Sequence, residues 1–135
     1  MRDKVAFICV HNSCRSQIAE ALAKHLGEEY LEVYSAGTHL KERINPDAVR
    51  LMKEMYGIDM EANQTPKLIQ DIPPVDHVVT MGCGVECPMM TYTKSRQDWG
   101  LDDPTGQSDS VFRQVIQEIH DKVLALIDYV QEEES

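Results

Sequence analysis

The sequence predicts an α/β fold, a single domain in which helices lie on both faces of a parallel sheet. Three observations carry this. Apolar runs of strand length occur at residues 5–8, 31–34 and 77–81. Segments with the 3.6-residue apolar period of a helix lie between and after them. The chain has 135 residues and is 42% hydrophobic, the size of one ordinary domain and enough for one contiguous core. Strands joined through helices imply right-handed crossovers and a ligand crevice at the carboxyl ends of the strands.

The first strand, Val5-Ala6-Phe7-Ile8, ends at Cys9. Residues 16–26 follow as a helix with Ile18, Ala19, Leu22 and Leu26 on one face. A second strand at 31–34 is expected to close at Ser35-Ala36-Gly37-Thr38, with Gly37 supplying turn geometry. Asn45 and Pro46 form a cap and first-turn proline. Ala48, Leu51, Met52 and Met55 then keep helical spacing until Gly57 stops the helix. Thr65-Pro66 repeats that signal ahead of Leu68 and Ile69, but Pro73-Pro74 permits only a short helix before the strand at 77–81. Residues 82–106 show little periodicity and read as irregular, a length that compact domains usually keep for function. From 110 to 130, Val111, Val115, Ile119, Val123, Leu126, Ile127 and Val130 form the stripe of a long amphipathic helix, and an acidic tail is expected from Gln131.

Charge narrows the function. Thirteen basic and 23 acidic residues give a formal charge of −10, which disfavours nucleic acid and anionic membranes. It also repels oxyanions, so a site for them must create its own local positive potential. The N-terminus offers no signal-peptide core and no stretch is long enough to span a bilayer, so a soluble cytoplasmic protein is expected. Four cysteines in that compartment point to catalysis, redox cycling or metal binding rather than to a structural disulfide framework.

Cys9-Val10-His11-Asn12-Ser13-Cys14-Arg15-Ser16 lies between strand and helix, with five residues between Cys9 and Arg15. A loop of this length can turn its backbone N–H groups around one tetrahedral anion while the next helix adds its positive end. Arg15 supplies a planar, permanently charged fork. The same field favours the thiolate of Cys9, making it a nucleophile. Asn12 suits a left-handed backbone, and Ser16 is placed to turn its hydroxyl toward the Cys9 sulfur. The competing reading, a buried strand-end cysteine and a surface arginine, ignores the agreement of loop and context.

This cysteine, asparagine, cysteine, arginine, serine order resembles the loop of the low-molecular-weight protein tyrosine phosphatase superfamily. Ser35-Ala36-Gly37-Thr38 and Asp103-Pro104 match in the expected order along nearly the whole chain. The resemblance implies a three-layer domain with a four-stranded parallel sheet. It makes Cys9 the nucleophile, Asp103 the general acid, and residues Val10, His11, Asn12, Ser13, Cys14, Arg15 and Ser16 the oxyanion loop. Taken alone, Asp103-Pro104 would read as an ordinary turn. His11 stands where many family phosphatases have glycine. Thr105-Gly106-Gln107-Ser108 stands where they carry aromatic residues.

Met81-Gly82-Cys83-Gly84-Val85-Glu86-Cys87-Pro88 places two cysteines four positions apart after a strand. Alone, the pair fits buried packing residues as well as redox partners. Its position resembles that of the resolving pair of the superfamily's thioredoxin-coupled arsenate reductases. That resemblance implies reduction of arsenate through Cys9, Cys83 and Cys87, with thioredoxin as reductant. Cys14 reads either as a protective partner of oxidised Cys9 or as a packed residue.

Family reductases also place asparagine, glutamate, serine and aspartate around a potassium ion. Asn12, Glu20 and Ser35 match, but the fourth position falls on Lys67, whose ammonium would repel the cation or take its place. No metal or cofactor is therefore expected. His25, His39, His77 and His120 show no ligand spacing. The alternative function is a low-molecular-weight phosphatase using Cys9, Arg15 and Asp103 alone. A phosphocysteine carrier fits less well, because it has no use for Arg15 and Asp103. A monomer is the default assembly.

Overall fold

The structure is a computed structural model that describes residues 3–9, 12, 14–38, 43–81, 95–102 and 104–134. Its strands are β1 (Asp3–Cys9), β2 (Leu31–Gly37), β3 (His77–Thr80) and β4 (Ser95–Asp98), and its helices are α1 (Arg15–Gly27), α2 (Pro46–Tyr56), α3 (Met60–Asn63) and α4 (Asp109–Glu134). The strands form one parallel sheet in the order β2-β1-β3-β4. β1 is central because it is apolar on both faces, as a strand covered on both sides must be. The register pairs Cys9 with Gly37, Ile8 with Thr80, and Thr80 with Asp98, so the strands end together beside the cysteine.

Alternation along β1 divides the core. Val5, Phe7 and Cys9 join Ile18 and Leu22 of α1, Leu51 and Met52 of α2, and Phe112, Ile116 and Ile119 of α4. Ala6 and Ile8 face the other way, toward Ala36, Val75 and Val78, with Ile69 and Ile72 packed on them. Trp99 lies against Phe7 with ring centroids 5.4 Å apart, filling the space below the strand ends.

α2 follows its sequence signals closely. The Asn45 side chain accepts from the N–H groups of Asp47 and Ala48, and Gly57 ends the helix in the left-handed conformation (φ 69°). Its outer face is tied to α4 by Arg50, which donates to both oxygens of Asp109 at 2.7 and 3.1 Å. These bonds lower the Asp109 pKa below the usual carboxylate value. The clamp is therefore intact above the ordinary carboxylate range and is lost as pH falls through the lowered value, with a small effect on stability because the pair is exposed.

Elsewhere the structure corrects the sequence reading. Ser35-Ala36-Gly37 does not close β2 but belongs to it, paired with Phe7, Ile8 and Cys9. The described glycines with positive φ are Gly57, Gly100 and Gly106, so Gly37 is not a turn residue. Its N–H donates to the Lys67 carbonyl, and the bridge Gly37–Leu68 extends the edge. Thr65-Pro66 starts no helix. The short helical pieces are α3, capped by Asp59, and a 3₁₀ turn at Ile69–Asp71. The segment read as irregular contains β4, whose Arg96, Gln97 and Asp98 are exposed. As an edge strand it needs no apolar alternation, which is why no period marked it. α4 runs past Gln131 to Glu134, since nothing in that acidic stretch breaks a helix.

The α4 stripe holds at Val115, Ile119, Val123, Leu126, Ile127 and Val130, which are all buried, and fails only at its first residue. Val111 is 37% exposed, whereas Phe112 and Ile116 are fully buried. Ile116→Ala should therefore lower the unfolding free energy by about 2–5 kcal/mol. Val111→Ala should change it by no more than about 0.5 kcal/mol. Urea unfolding midpoints of the two variants check this.

Candidate active site

Cys9 is the last residue of β1 and Arg15 the first of α1, so both stand at the boundary the sequence indicated. The first turn of α1 contains no acidic residue, which leaves the positive end of the helix free of a competing carboxylate of its own. Arg15 is only 5% exposed. Its Nη2 points at the Cys9 Sγ, 3.7 Å away. Its Nη1 donates to the carbonyls of Met81 at 3.1 Å and Leu101 at 2.7 Å. These carbonyls follow β3 and β4, so the guanidinium spans the ends of three strands. The acceptors carry no formal charge, so these bonds fix the group without cancelling its field.

Asn12 is fully buried and adopts φ 50°, the left-handed conformation its residue type suggested. Its Nδ2 donates to the Ser16 Oγ at 2.9 Å. The Ser16 hydroxyl is thus engaged by Asn12, and among the described residues no hydrogen bond joins it to the Cys9 sulfur, contrary to expectation. The Asn12 Oδ1 accepts from the Lys67 N–H at 2.8 Å and from Gln17 Nε2 at 2.9 Å, and the Asn12 carbonyl accepts from the same Nε2 at 3.1 Å. Gln64 Nε2 in turn donates to the Oε1 of Gln17 at 2.6 Å and to its carbonyl at 3.0 Å. Sequence reasoning missed both glutamines. Gln17 lies on the first turn of α1 and carried no signal beyond that position, and Gln64 reaches it across 47 residues.

Cys14 occupies the cap position of α1 and is buried in the main core cluster with Cys9. That position is compatible with both readings of Cys14, a packed residue and a partner of oxidised Cys9. Val10, His11, Ser13, Cys83, Cys87 and Asp103 lie outside the described residues. The described neighbours frame some of them: Met81 is fully buried, Asp102 is exposed and Pro104 is buried.

Asn12, Glu20 and Ser35, which match the pattern of the potassium site, are engaged within the protein. Glu20 is buried, accepts from Ser35 Oγ at 2.6 Å through Oε1, and pairs with Lys24 Nζ at 2.8 Å through Oε2. The Lys67 Nζ lies 3.7 Å from Glu20 Oε1 and donates to the Thr65 carbonyl at 3.3 Å. The Asn12 Oδ1 already accepts two N–H bonds. Two ammoniums facing one carboxylate do not fit a further cation. No group of three or more His, Cys, Asp or Glu side chains suited to a metal occurs among the described residues.

A buried thiol beside a fixed guanidinium at a helix N-terminus is an arrangement chemically able to hold a tetrahedral oxyanion and to attack it. Residues 4–135 match the family model described as low molecular weight phosphotyrosine protein phosphatase. The chain belongs to that family. Within the family, it is 41% identical over 128 residues to a glutaredoxin arsenate reductase of Synechocystis sp., covering 92% of this chain and 95% of that one. A solved structure of an arsenate reductase in the phosphate-binding state superposes with a TM-score of 0.86 at 39% identity, covering 96% of this chain and 99% of the other. A thioredoxin-dependent arsenate reductase of Corynebacterium glutamicum superposes with a TM-score of 0.79 at 32% identity, covering 98% of this chain and 63% of that one. The four-stranded parallel sheet expected from the sequence is the family's fold.

Arg15→Lys preserves the charge but not the planar fork that reaches both strand-end carbonyls and the sulfur. Inorganic phosphate should then bind about 10- to 100-fold more weakly by isothermal titration, the size of one or two charged hydrogen bonds. Unchanged affinity would mean that the anion is held elsewhere.

Proposed function

We propose that this protein reduces arsenate to arsenite through a covalent adduct on Cys9. The observation that carries the reading is the buried Cys9 thiol under the Arg15 guanidinium, 3.7 Å from Nη2, at the N-terminus of α1. Nearly full-length resemblance to proteins named arsenate reductases supports arsenate as the oxyanion.

The chemistry runs in balanced steps. The Cys9 thiolate attacks arsenic(V), and an arsenate oxygen leaves as water, protonated by Asp103. The Cys83 thiolate then attacks the Cys9 sulfur. The S–As bond breaks with its electron pair on arsenic, releasing arsenite and leaving a Cys9–Cys83 disulfide. Cys87 attacks Cys83, freeing the Cys9 thiolate and forming a Cys83–Cys87 disulfide. An external dithiol, thioredoxin in this proposal, returns the pair to thiols.

A second reading, hydrolysis of aryl phosphates, is favoured by the family itself and uses Cys9, Arg15 and Asp103 without the pair. Thr105, Gly106, Gln107 and Ser108 are all exposed and present no aromatic surface on which a phosphotyrosine ring could stack. Phosphatase turnover should accordingly be weak.

The test is arsenate-dependent NADPH oxidation by wild type and by Cys9→Ser, Cys83→Ser and Cys87→Ser. It is run once with thioredoxin and its reductase, and once with glutathione, glutaredoxin and glutathione reductase. The expectation is turnover with thioredoxin for wild type and its loss in all three variants, while Cys83→Ser and Cys87→Ser still cleave p-nitrophenyl phosphate. Turnover by wild type in the glutaredoxin system alone would replace the proposed reductant. Turnover by Cys83→Ser would sink the three-thiol relay.

A further inference from the structure

A carboxylate that is 1% exposed is costly unless positive charge and hydrogen bonds compensate it. Glu20 lies one helical turn beyond Ser16 on α1, behind the anion loop. Its two oxygens divide their partners: Oε2 takes Lys24, and Oε1 takes the Ser35 hydroxyl and faces Lys67. Lys67 is connected at both ends. Its ammonium sits against Glu20 Oε1 and the Thr65 carbonyl, and its backbone N–H holds the Oδ1 of Asn12, the loop residue with positive φ. Beside this cluster lies a cavity of about 360 Å³ lined by Glu20, Lys24, Gln64, Thr65 and Lys67 among others. A small ion could reach Glu20 from it if the lysine were shortened.

We propose that Lys67 is the built-in counter-cation of the anion loop: a positioning residue whose ammonium balances Glu20, so that the loop holds its shape without an added monovalent cation. The inference rests on the oxyanion reading of the loop. It does not require arsenate to be the substrate, because the test reads phosphate binding and melting rather than turnover.

Wild type, Lys67→Arg and Lys67→Ala are compared in potassium chloride and in tetramethylammonium chloride at equal ionic strength. Inorganic phosphate affinity and the melting temperature are measured in each salt. Wild type and Lys67→Arg should give the same phosphate affinity and melting temperature in both salts. Lys67→Ala should bind phosphate about tenfold more weakly in tetramethylammonium, as expected for loss of a charged contact. Potassium, small enough to enter the vacated position, should recover most of that loss, whereas a merely structural role for the lysine would not be rescued by a particular ion. Potassium raising the melting temperature or phosphate affinity of wild type overturns the proposal. So does a Lys67→Ala protein that is indifferent to the salt. The wild-type comparison decides the matter even if Lys67→Ala does not fold.

Discussion

A guanidinium buried to 5% exposure, with bonds to backbone from the ends of two strands and a contact to the thiol at the end of a third, is the constraint around which the rest of this molecule is arranged. An arginine cannot escape the cost of burial by losing its proton, so its donors must find acceptors. Met81 and Leu101 provide them only if β3 stands beside β1 and β4 beside β3, in parallel register and ending at the same level. The order β2-β1-β3-β4 meets that condition. It also places Gly37, rather than a bulkier residue, opposite Cys9.

The second requirement is a loop that keeps its curvature before any anion arrives. Asn12 is the residue in which this is visible. Its side chain bonds to Ser16, Gln17 and the backbone of Lys67, and Gln17 is itself held by Gln64. A left-handed asparagine with every one of these groups satisfied is pre-shaped, so the ordering cost is met during folding rather than on binding. The glutamine pair is what connects the loop to the segment after α3, and Lys67 continues that connection to Glu20.

Much of this was readable from local pattern. The strand, loop and helix around Cys9 and Arg15, the left-handed Asn12, and both ends of α2 follow from residue types acting on their immediate neighbours. What escaped were features decided across the sheet. β4 is an exposed edge strand whose pairing with β3, not its composition, makes it a strand. Gly37 looks like a turn residue until Cys9 is placed opposite it. Val111 falls on the helical stripe yet is exposed, while Phe112 and Ile116, off that stripe, are fully buried beside its other members. The Gln17–Gln64 contact lies 47 residues apart and has no signature at all. Lys67 is the intermediate case: its misfit to a cation site was visible in the sequence, but its grip on Asn12 belongs to its backbone and was not.

A chain of formal charge −10 that binds a multiply charged anion is consistent once distance and dielectric are considered. Charges farther away than about 8 Å are largely screened at physiological ionic strength when they face water. Most of the carboxylates here face water. The Arg15 guanidinium and the N-terminus of α1 do not: they act within a few ångströms of Cys9 in a partly dry environment, where each charge is worth several times its value in water. Among the described residues Asp3 and Glu20 are the buried carboxylates, and Glu20 is the one on the same helix as Arg15, one turn behind the loop, where screening by water is not available. Left alone it would oppose Arg15 at close range. Pairing it with two ammoniums removes that opposition, and the site's positive potential is therefore set by a small number of near charges while the surface charge governs only long-range encounter.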